Sequence, residues 1–311
     1  MKNCCVIGGT GFIGFFVVRA LLNEGRNVVV VARNESPTRP LPVDVKYIPG
    51  DFGDRYFLKG VLRGIDEIID LAYATVPKTS FDNPVHDILF NLPNAVNLLE
   101  VASSCSLDKI VLVSSGGTVY GKALTLPISE DHPTNPISPY GITKLAIEKY
   151  AMMYHHLNNL PVVCVRPSNA FGARQRPFSG QGFIATAIAQ ILEEKEIILY
   201  GDSGTVRDYI HVSDVAKGIV AALDYGVPGS CYNISTGVGK SNREVLDAIF
   251  PLAQSAGLKT KIQVMPSRRF DVSANILDSS ELKKQTGWSP LISFEDGIIK
   301  TWNWYWQDFL T

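Results

Sequence analysis

Residues 8–14 read Gly-Gly-Thr-Gly-Phe-Ile-Gly and follow a short apolar run at the start of the chain. A helical pattern begins at once, at Phe12. A loop between strand and helix turns tightly and brings its amides close to a pyrophosphate where side chains are absent, which favours glycine. The helix start adds unpaired amides and a positive dipole end. The stretch predicts a dinucleotide-binding loop, with these residues against the cofactor: Gly8, Gly11, Phe12, Ile13 and Gly14.

Apolar runs and longer helical patterns alternate through the first half of the chain. Predicted strands cover 4–8, 28–32, 45–49, 67–71, 110–114 and 162–166, and predicted helices cover 12–24, 57–62, 84–104 and 140–158. Nearly continuous apolar strands are typical of parallel sheets that are buried on both faces. The pattern predicts an α/β fold, a Rossmann-like parallel sheet with helices on both faces.

The alternation ends after Pro167. A stretch punctuated by glycine and proline runs through 178–182, a predicted helix covers 185–194, and 209–223 reads as a strand and a helix. We expect a dinucleotide-binding domain over 1–167, to which 207–225 returns. The remainder, 168–311, is expected to form a smaller C-terminal α/β substrate lobe.

Composition narrows the class of protein. The 311 residues are 46 % hydrophobic, and 29 basic against 30 acidic residues give a net charge of −1. This balance argues against nucleic acid or an anionic membrane as a partner. There is no apolar run of about 18 residues, no signal-peptide pattern, and the five cysteines and five histidines lack metal spacing. We expect a cytoplasmic protein with no metal site.

The end of the second predicted strand bears on the choice of cofactor. A carboxylate that binds the adenosine ribose is expected about twenty residues after the glycine loop, but Ala32 and Arg33 stand there. A guanidinium can pair with a 2′-phosphate, so the cofactor is predicted to be NAD or NADP. An Arg33 that is merely solvated is the alternative. Further on, Asp51 and Phe52 are predicted to hold the adenine.

Tyr140 and Lys144 are four residues apart on a predicted helix and so share a face. A phenol is a poor base at neutral pH because its ordinary pKa is near 10. A lysine cation and a positively charged nicotinamide both favour the phenolate. The pair is predicted to be catalytic and to contact the cofactor.

Residues 113–121, Val-Ser-Ser-Gly-Gly-Thr-Val-Tyr-Gly, complete a recognisable set with the glycine loop and the Tyr-Lys pair. The chain resembles extended short-chain dehydrogenases/reductases of the NAD-dependent epimerase/dehydratase family, closest to the UDP-hexose 4-epimerases. The resemblance implies hydride transfer at a sugar carbon, with Tyr140 as base and Lys144 as its modulator. It also implies these cofactor contacts: Leu71, Ala72, Asn91, Ser114 and Pro167.

One position departs from the epimerase pattern. The serine or threonine that this family carries four residues before the tyrosine of Val-Tyr-Gly is Gly116 here. Ser115 and Thr118 are the nearest hydroxyls, and Thr118 is the predicted second group on the sugar oxygen, with a bound water as the alternative. Gly117 and Thr118 replace the Asp-Glu pair of the family's 4,6-dehydratases, which disfavours elimination of water.

The resemblance also implies a nucleotide-sugar site in the second lobe. Asn169 is expected to contact the substrate diphosphate and hydroxyls, Tyr200 to stack on uracil, and Arg207 and Arg268 to hold the diphosphate. Asn275 aligns with a position that limits space at the sugar C2 substituent. Its small size predicts that UDP-N-acetylhexosamines enter.

These expectations favour a UDP-sugar 4-epimerase that works through a 4-keto intermediate. An NADPH-dependent 4-keto nucleotide-sugar reductase and a catalytically weak dinucleotide-sensing protein are the alternatives. The helices at 84–104 and 140–158 occupy the positions that form a dimer interface in the family, so a homodimer is expected by resemblance.

Overall fold

The computed structural model describes residues 1–266 and 272–310. Its strands are β1 Asn3–Ile7, β2 Asn27–Ala32, β3 Lys46–Pro49, β4 Glu67–Asp70, β5 Lys109–Val113, β6 Val162–Pro167, β7 Asn169–Phe171, β8 Ile197–Tyr200, β9 Val206–His211, β10 Cys231–Ile234, β11 Gly239–Ser241, β12 Ile262–Met265 and β13 Ala274–Asn275. Its helices are α1 Phe12–Asn23, α2 Arg55–Val61, α3 Pro77–Asp82, α4 Pro84–Ala102, α5 Pro139–Asn158, α6 Phe183–Leu192, α7 Val212–Tyr225, α8 Asn242–Ser255, α9 Ser280–Thr286 and α10 Phe294–Leu310.

Seven parallel strands form the main sheet, in the order β10-β6-β5-β4-β1-β2-β3. Helices α1 and α7 cover one face, where Val17, Val18 and Ile219 are fully buried. Helices α4 and α5 cover the other face, with Leu98 and Leu99 buried against it. Because the strands are apolar on both faces, the sheet buries both of them. The predicted Rossmann-like fold with helices on both sides is confirmed.

The edge strand β10 comes from beyond the expected boundary at 167. It pairs in parallel with β6, so that Cys231 lies opposite Cys164. This strand is only four residues long and contains the polar Asn233, so it lacks the continuous apolar run that marks β2 and β5. A segment expected in the second lobe therefore belongs to the main sheet.

A second, smaller layer carries its own sheets and core. Strands β7, β9, β11 and β13 form one sheet, and β8 pairs with β12. Helices α6, α8 and α10 pack over them, with Ile188, Ile249 and Trp302 in the core. Within the segment 207–225, β9 lies in this small sheet, whereas α7 packs on α1 of the main layer.

In the described ranges, no helix combines the length and the apolar character needed to cross a membrane. The same residues contain no group of three or more potential metal-binding side chains.

Candidate active site

The glycine loop leaves no room for side chains. Gly8 has φ +80°, and a Cβ there would lie 3.0 Å from the Ala72 nitrogen. A Cβ on Gly14 would lie 2.8 Å from the Cα of Gly9. No side chain caps the start of α1 at Gly11. The first amides of α1 therefore stay available to a phosphate group, and the cradle fits a pyrophosphate.

The predicted adenine contacts, Asp51 and Phe52, follow β3, and Arg33 follows β2. Phe52 is half-buried and packs on the main core, while Asp51 accepts a hydrogen bond from the Gly53 amide at 2.9 Å. Arg33 is exposed. Arg39, which the sequence analysis did not single out, donates to the Thr10 carbonyl at 2.7 Å and so braces the glycine loop.

Asn91 acts behind the site rather than in the cleft. Its Oδ1 accepts a hydrogen bond from the Ala74 amide at 2.7 Å, and its Nδ2 donates to the Asp87 carbonyl at 2.7 Å. The first bond anchors the loop after β4 to α4, and the second holds the Asn91 side chain against its own helix. Leu71, at the start of that loop, donates its amide to Ile7 at 2.9 Å, and Ala72 packs on the glycine loop.

Helix α5 places the Tyr-Lys pair. Ser138 caps the helix by accepting a hydrogen bond from the Gly141 amide at 3.1 Å. The Lys144 ammonium is buried and donates to the Val113 carbonyl at 2.7 Å. It lies 5.9 Å from the centre of the Tyr140 ring and 4.1 Å from the centre of the Tyr73 ring. Lys144 and the phenol of Tyr140 are thus brought together at the end of β5.

Burial sets the proton affinities of this pair. It raises the pKa of Tyr140 above its ordinary value, although the interaction with the Ser115 hydroxyl opposes the rise. Burial lowers the pKa of Lys144 to about 8, against the attraction of Asp70, Glu148 and Asp87. In the absence of a further positive charge, Tyr140 is therefore a neutral phenol at pH 7.

A buried ion pair holds α5 against the sheet. The Arg166 Nη2 atom lies 2.6 Å from Oε2 of Glu148, and its Nη1 donates to the Tyr120 hydroxyl at 2.9 Å. Tyr120 in turn donates to Asn233 on β10 at 2.8 Å. Because these partners sit on three elements, they fix the helix that carries Tyr140.

Gly116 has no room for the serine or threonine of the epimerase pattern. A Cβ there would overlap Cδ1 of Leu277 and would lie 2.9 Å from the Arg166 carbonyl. Of the two neighbouring hydroxyls, Thr118 donates to the Ser115 carbonyl at 3.4 Å, whereas Ser115 interacts with Tyr140. Ser115, rather than Thr118, is therefore the hydroxyl that influences the Tyr140 phenol.

A cleft of about 870 Å³ opens between the two layers. It brings together nine of the predicted site residues, which come from both halves of the chain: Phe12, Ile13, Ser114, Thr118, Tyr140, Pro167, Asn169, Tyr200 and Arg207. Ser115, Gln175, Phe178 and Asn242 also line it, and no motif pointed to the last three of these.

Three side chains of this cleft have a buried polar atom without a hydrogen-bond partner among the described residues: Oε1 of Gln175 and the two atoms that point to a ligand. These two are Oγ of Ser114 and Oδ1 of Asn169. An unsatisfied buried polar group is costly, and most such groups in native proteins have a partner. Ser114 and Asn169 therefore fit a polar ligand that spans the end of β5 and the start of β7.

One predicted substrate residue, Asn275, does not line the cleft. Asn275 is buried behind Gly116 and donates Nδ2 to its carbonyl at 3.2 Å. Arg268 lies outside the described residues. Arg207 reaches the cleft and donates Nη1 to the Val206 carbonyl at 2.8 Å.

The carboxylate of Asp208, a residue that sequence reasoning missed, connects loop segments of the protein by hydrogen bonds. Its buried carboxylate accepts hydrogen bonds from the Thr236 hydroxyl at 2.7 Å and from the Gly237 amide at 2.9 Å. It also accepts a bond from Ser168 at 3.3 Å. One carboxylate thus joins the segments that follow β6 and β10.

Comparisons with known proteins identify the family of this chain. The model of the NAD dependent epimerase/dehydratase family matches residues 4–235. A UDP-glucose 4-epimerase of Mycolicibacterium smegmatis is 34 % identical over 304 residues, 95 % of this chain and 96 % of that protein. The UDP-glucose 4-epimerase of Thermotoga maritima, solved with UDP-glucose, has a TM-score of 0.91, 29 % identity and 99 % coverage of both chains. That of Thermus thermophilus, solved with NAD, has a TM-score of 0.88, 32 % identity and coverage of 98 % and 99 %. The chain belongs to the NAD dependent epimerase/dehydratase family.

Proposed function

We propose that the protein is a nucleotide-sugar 4-epimerase, which inverts C4 of a UDP-hexose or UDP-N-acetylhexosamine through a 4-keto intermediate. The observation that carries this proposal is the cleft itself. It exposes Tyr140 and Ser115 between a phosphate-binding glycine loop and the side chains of Asn169, Tyr200 and Arg207. The M. smegmatis and T. maritima relatives, both UDP-glucose 4-epimerases, support the same reaction.

The cofactor in this proposal is a nicotinamide dinucleotide. Phe12 and Ile13 at the start of α1 would hold its pyrophosphate, and Tyr140 and Lys144 would lie at its nicotinamide end. When bound, it supplies a hydride acceptor and, in its oxidised form, a positive charge. The family and the NAD-bound T. thermophilus relative support NAD. That NADP also binds, through Arg33, stays a prediction.

Tyr140 takes the proton of the sugar C4 hydroxyl in this mechanism. Burial alone disfavours the phenolate, so the charges around the phenol must lower its pKa. The Lys144 ammonium contributes one such charge, and the Ser115 hydroxyl would stabilise the oxygen on which the negative charge forms by donating a hydrogen bond to it. Tyr140 later returns the proton after the 4-keto sugar has presented its other face.

Ser115 is the hydroxyl that we assign to the sugar oxygen, in the role that the sequence analysis gave to Thr118. It lines the cleft and reaches Tyr140, so one substrate oxygen can contact both groups. Thr118 also lines the cleft, but its hydroxyl is engaged by the turn of its own loop.

Entry of an acetylated sugar is part of the same proposal. Gly117 lines the cleft without a side chain, and Asn275 does not line it but donates Nδ2 to the Gly116 carbonyl. Turnover of UDP-N-acetylglucosamine is expected beside that of UDP-glucose. Complete refusal of the acetylated sugar, with full activity on UDP-glucose, would contradict this part.

A reductase is the second candidate, because Ala32 and Arg33 stand where NAD enzymes of this fold carry the carboxylate that binds the ribose.

One assay separates the two candidates. The protein, purified without added cofactor, should convert UDP-glucose into UDP-galactose, and anion-exchange chromatography measures the two sugars. Conversion without NADPH is expected, since epimerisation has no net redox change. Consumption of NADPH with a 4-keto sugar, and no epimer, would replace the epimerase proposal with the reductase.

We also propose a homodimer formed through α4 and α5. Val85 and Leu89 are 63 % and 60 % exposed on α4, and Ile142 and Leu157 are 55 % and 67 % exposed on α5. These helices pack against each other, so their exposed apolar side chains form one surface, which is typical of an interface. Light scattering should give twice the chain mass, and Leu89→Asp with Leu157→Asp should give monomers. A monomeric wild type would refute the dimer.

A further inference from the structure

A second cavity, of about 220 Å³, lies beside the glycine loop and apart from the catalytic residues. We propose that it binds a small anion that carries a phosphate group. Its wall includes three arginines, two aromatic rings and a single carboxylate: Arg39, Arg174, Arg176, Trp304, Tyr305 and Asp308.

The positive charges at this cavity are poorly compensated. Among the described residues, no carboxylate forms an ion pair with Arg39, Arg174 or Arg176, whereas Arg26, Arg55 and Arg166 are each paired with at least one carboxylate. The charges of Arg176 and Arg174, together with burial, lower the pKa of Arg39. Mutual repulsion of this kind falls when an anion binds between the guanidinium groups.

Two of the guanidinium groups are held in place before any ligand arrives. Arg39 donates to the carbonyls of Thr10 at 2.7 Å and Arg174 at 2.9 Å. The Arg174 guanidinium lies 4.2 Å from the centre of the Phe15 ring, and its backbone has φ +69°. Fixed guanidinium forks suit the oxygens of a phosphate, because little side-chain freedom is lost on binding.

The size of the cavity and the residues around it restrict which ligands can bind. At about 220 Å³ it is smaller than the roughly 300–1,000 Å³ of drug-sized ligand sites, so a phosphate with a short substituent fits better than a second dinucleotide. Tyr305 closes one side and donates its hydroxyl to the Gln175 carbonyl. Gln175 lines both this cavity and the catalytic cleft, so an anion bound here touches the wall of the nucleotide-sugar site.

The test is a calorimetric titration of the protein with inorganic phosphate at constant ionic strength. Saturating NAD and UDP are present, so that phosphate cannot bind at the cofactor or nucleotide sites.

The variants change one arginine at a time. Arg176 is exposed and its replacement leaves the core intact. Arg176→Gln is expected to weaken phosphate binding by about tenfold, as for one lost charge-assisted hydrogen bond, and Arg176→Lys should retain most of the affinity. The matched control is Arg63→Gln. Arg63 is an exposed arginine in the turn after α2, outside the cavity, and this variant should bind phosphate as the wild type does.

Glycerol phosphate in a parallel titration distinguishes the source of the phosphate. Tighter binding than inorganic phosphate identifies a monoester site, and equal or weaker binding identifies a site for the free ion; both support the proposal. Absence of saturable binding with NAD and UDP present, or equal affinities for wild type and Arg176→Gln, would overturn it. Because epimerase activity is not the readout, this outcome is independent of the proposed function.

Discussion

The Lys144 ammonium lies 4.1 Å from the centre of the Tyr73 ring, closer than it lies to the ring of Tyr140. The two tyrosine rings meet edge to face, with their centres 4.8 Å apart. Since the ammonium also donates to the Val113 carbonyl, ring and carbonyl together fix its position beside Tyr140, the proposed base. Tyr73 is thus a positioning residue for the Tyr-Lys pair.

Replacing the Tyr73 ring should therefore reduce turnover. A cation–π contact at a desolvated site contributes about 0.5–2 kcal/mol, so Tyr73→Leu is expected to lower kcat by roughly three- to thirtyfold. Tyr73→Phe keeps the ring and should stay near wild type. Steady-state kinetics on UDP-glucose measures both. Equal losses of kcat in the two variants would show that turnover depends on the Tyr73 hydroxyl and not on its ring.

Activity should fall as the pH rises through about 8. Lys144 has its pKa lowered to about 8 by burial, so its ammonium is present below that pH and is lost above it. Without this charge the Tyr140 phenolate loses a stabilising neighbour. The kcat/KM profile is expected to show a falling limb there. Lys144→Arg, whose side chain stays charged, should be slower but should lack that limb; an unchanged limb in this variant would assign it to another group.

Tyr140→Phe removes the proposed base. General base catalysis typically contributes about 10²–10⁴-fold, and a loss of kcat in that range is expected, with NAD still bound. Bound NAD, released by heat and quantified by absorbance, separates lost chemistry from lost cofactor. Near-normal turnover would rule out the phenol as base.

The two hydroxyls after β5 can be told apart by matched substitutions. Ser115→Ala is expected to lower kcat by roughly 10²-fold, in line with the loss of a donor to a developing oxyanion. Thr118→Ala should change it by about twofold at most, in the range of a substitution outside the machinery. The opposite ranking would restore Thr118 as the second catalytic group.

Gly116→Ser should destabilise the protein instead of restoring the family pattern. The new Cβ would overlap Leu277, and overpacking of a core typically costs about 1–3 kcal/mol. Urea unfolding measures the loss. Because Leu277→Ala removes the clashing atoms, the double variant should lose less stability than the two single losses added together. Strict additivity would show that Leu277 is not the obstacle.

Much of this site could be predicted because its residues occur in short, contiguous motifs. The glycine loop, the Tyr-Lys spacing and the alternation of strands and helices follow from local patterns, and in the structure Tyr140 and Lys144 lie on one helix, α5. Tyr73 and Asp208 could not be found this way. Their roles depend on side chains that meet only when α5 packs on β5, or when the segments after β6 and β10 converge.

The reason for Gly116 was also beyond sequence reasoning. The position is a glycine because Leu277, more than 150 residues further along the chain, fills the space that a side chain would need. Likewise β10 was missed because its burial is decided by the neighbouring strand β6 and not by its own four residues. Contacts between residues that are far apart in the chain produce no periodic pattern in the sequence.

The path of the chain between its two layers has a consequence for engineering. After β6 the chain leaves the main sheet, returns for α7 and β10, leaves again for β11 and α8, and comes back for α9. A gene fragment that stops at 167 would encode a sheet without its edge strand and without one of its two covering helices on that face. Grafting a relative's sugar-binding layer onto this protein therefore requires several matched junctions, because neither layer is a continuous segment that can be cut out and exchanged.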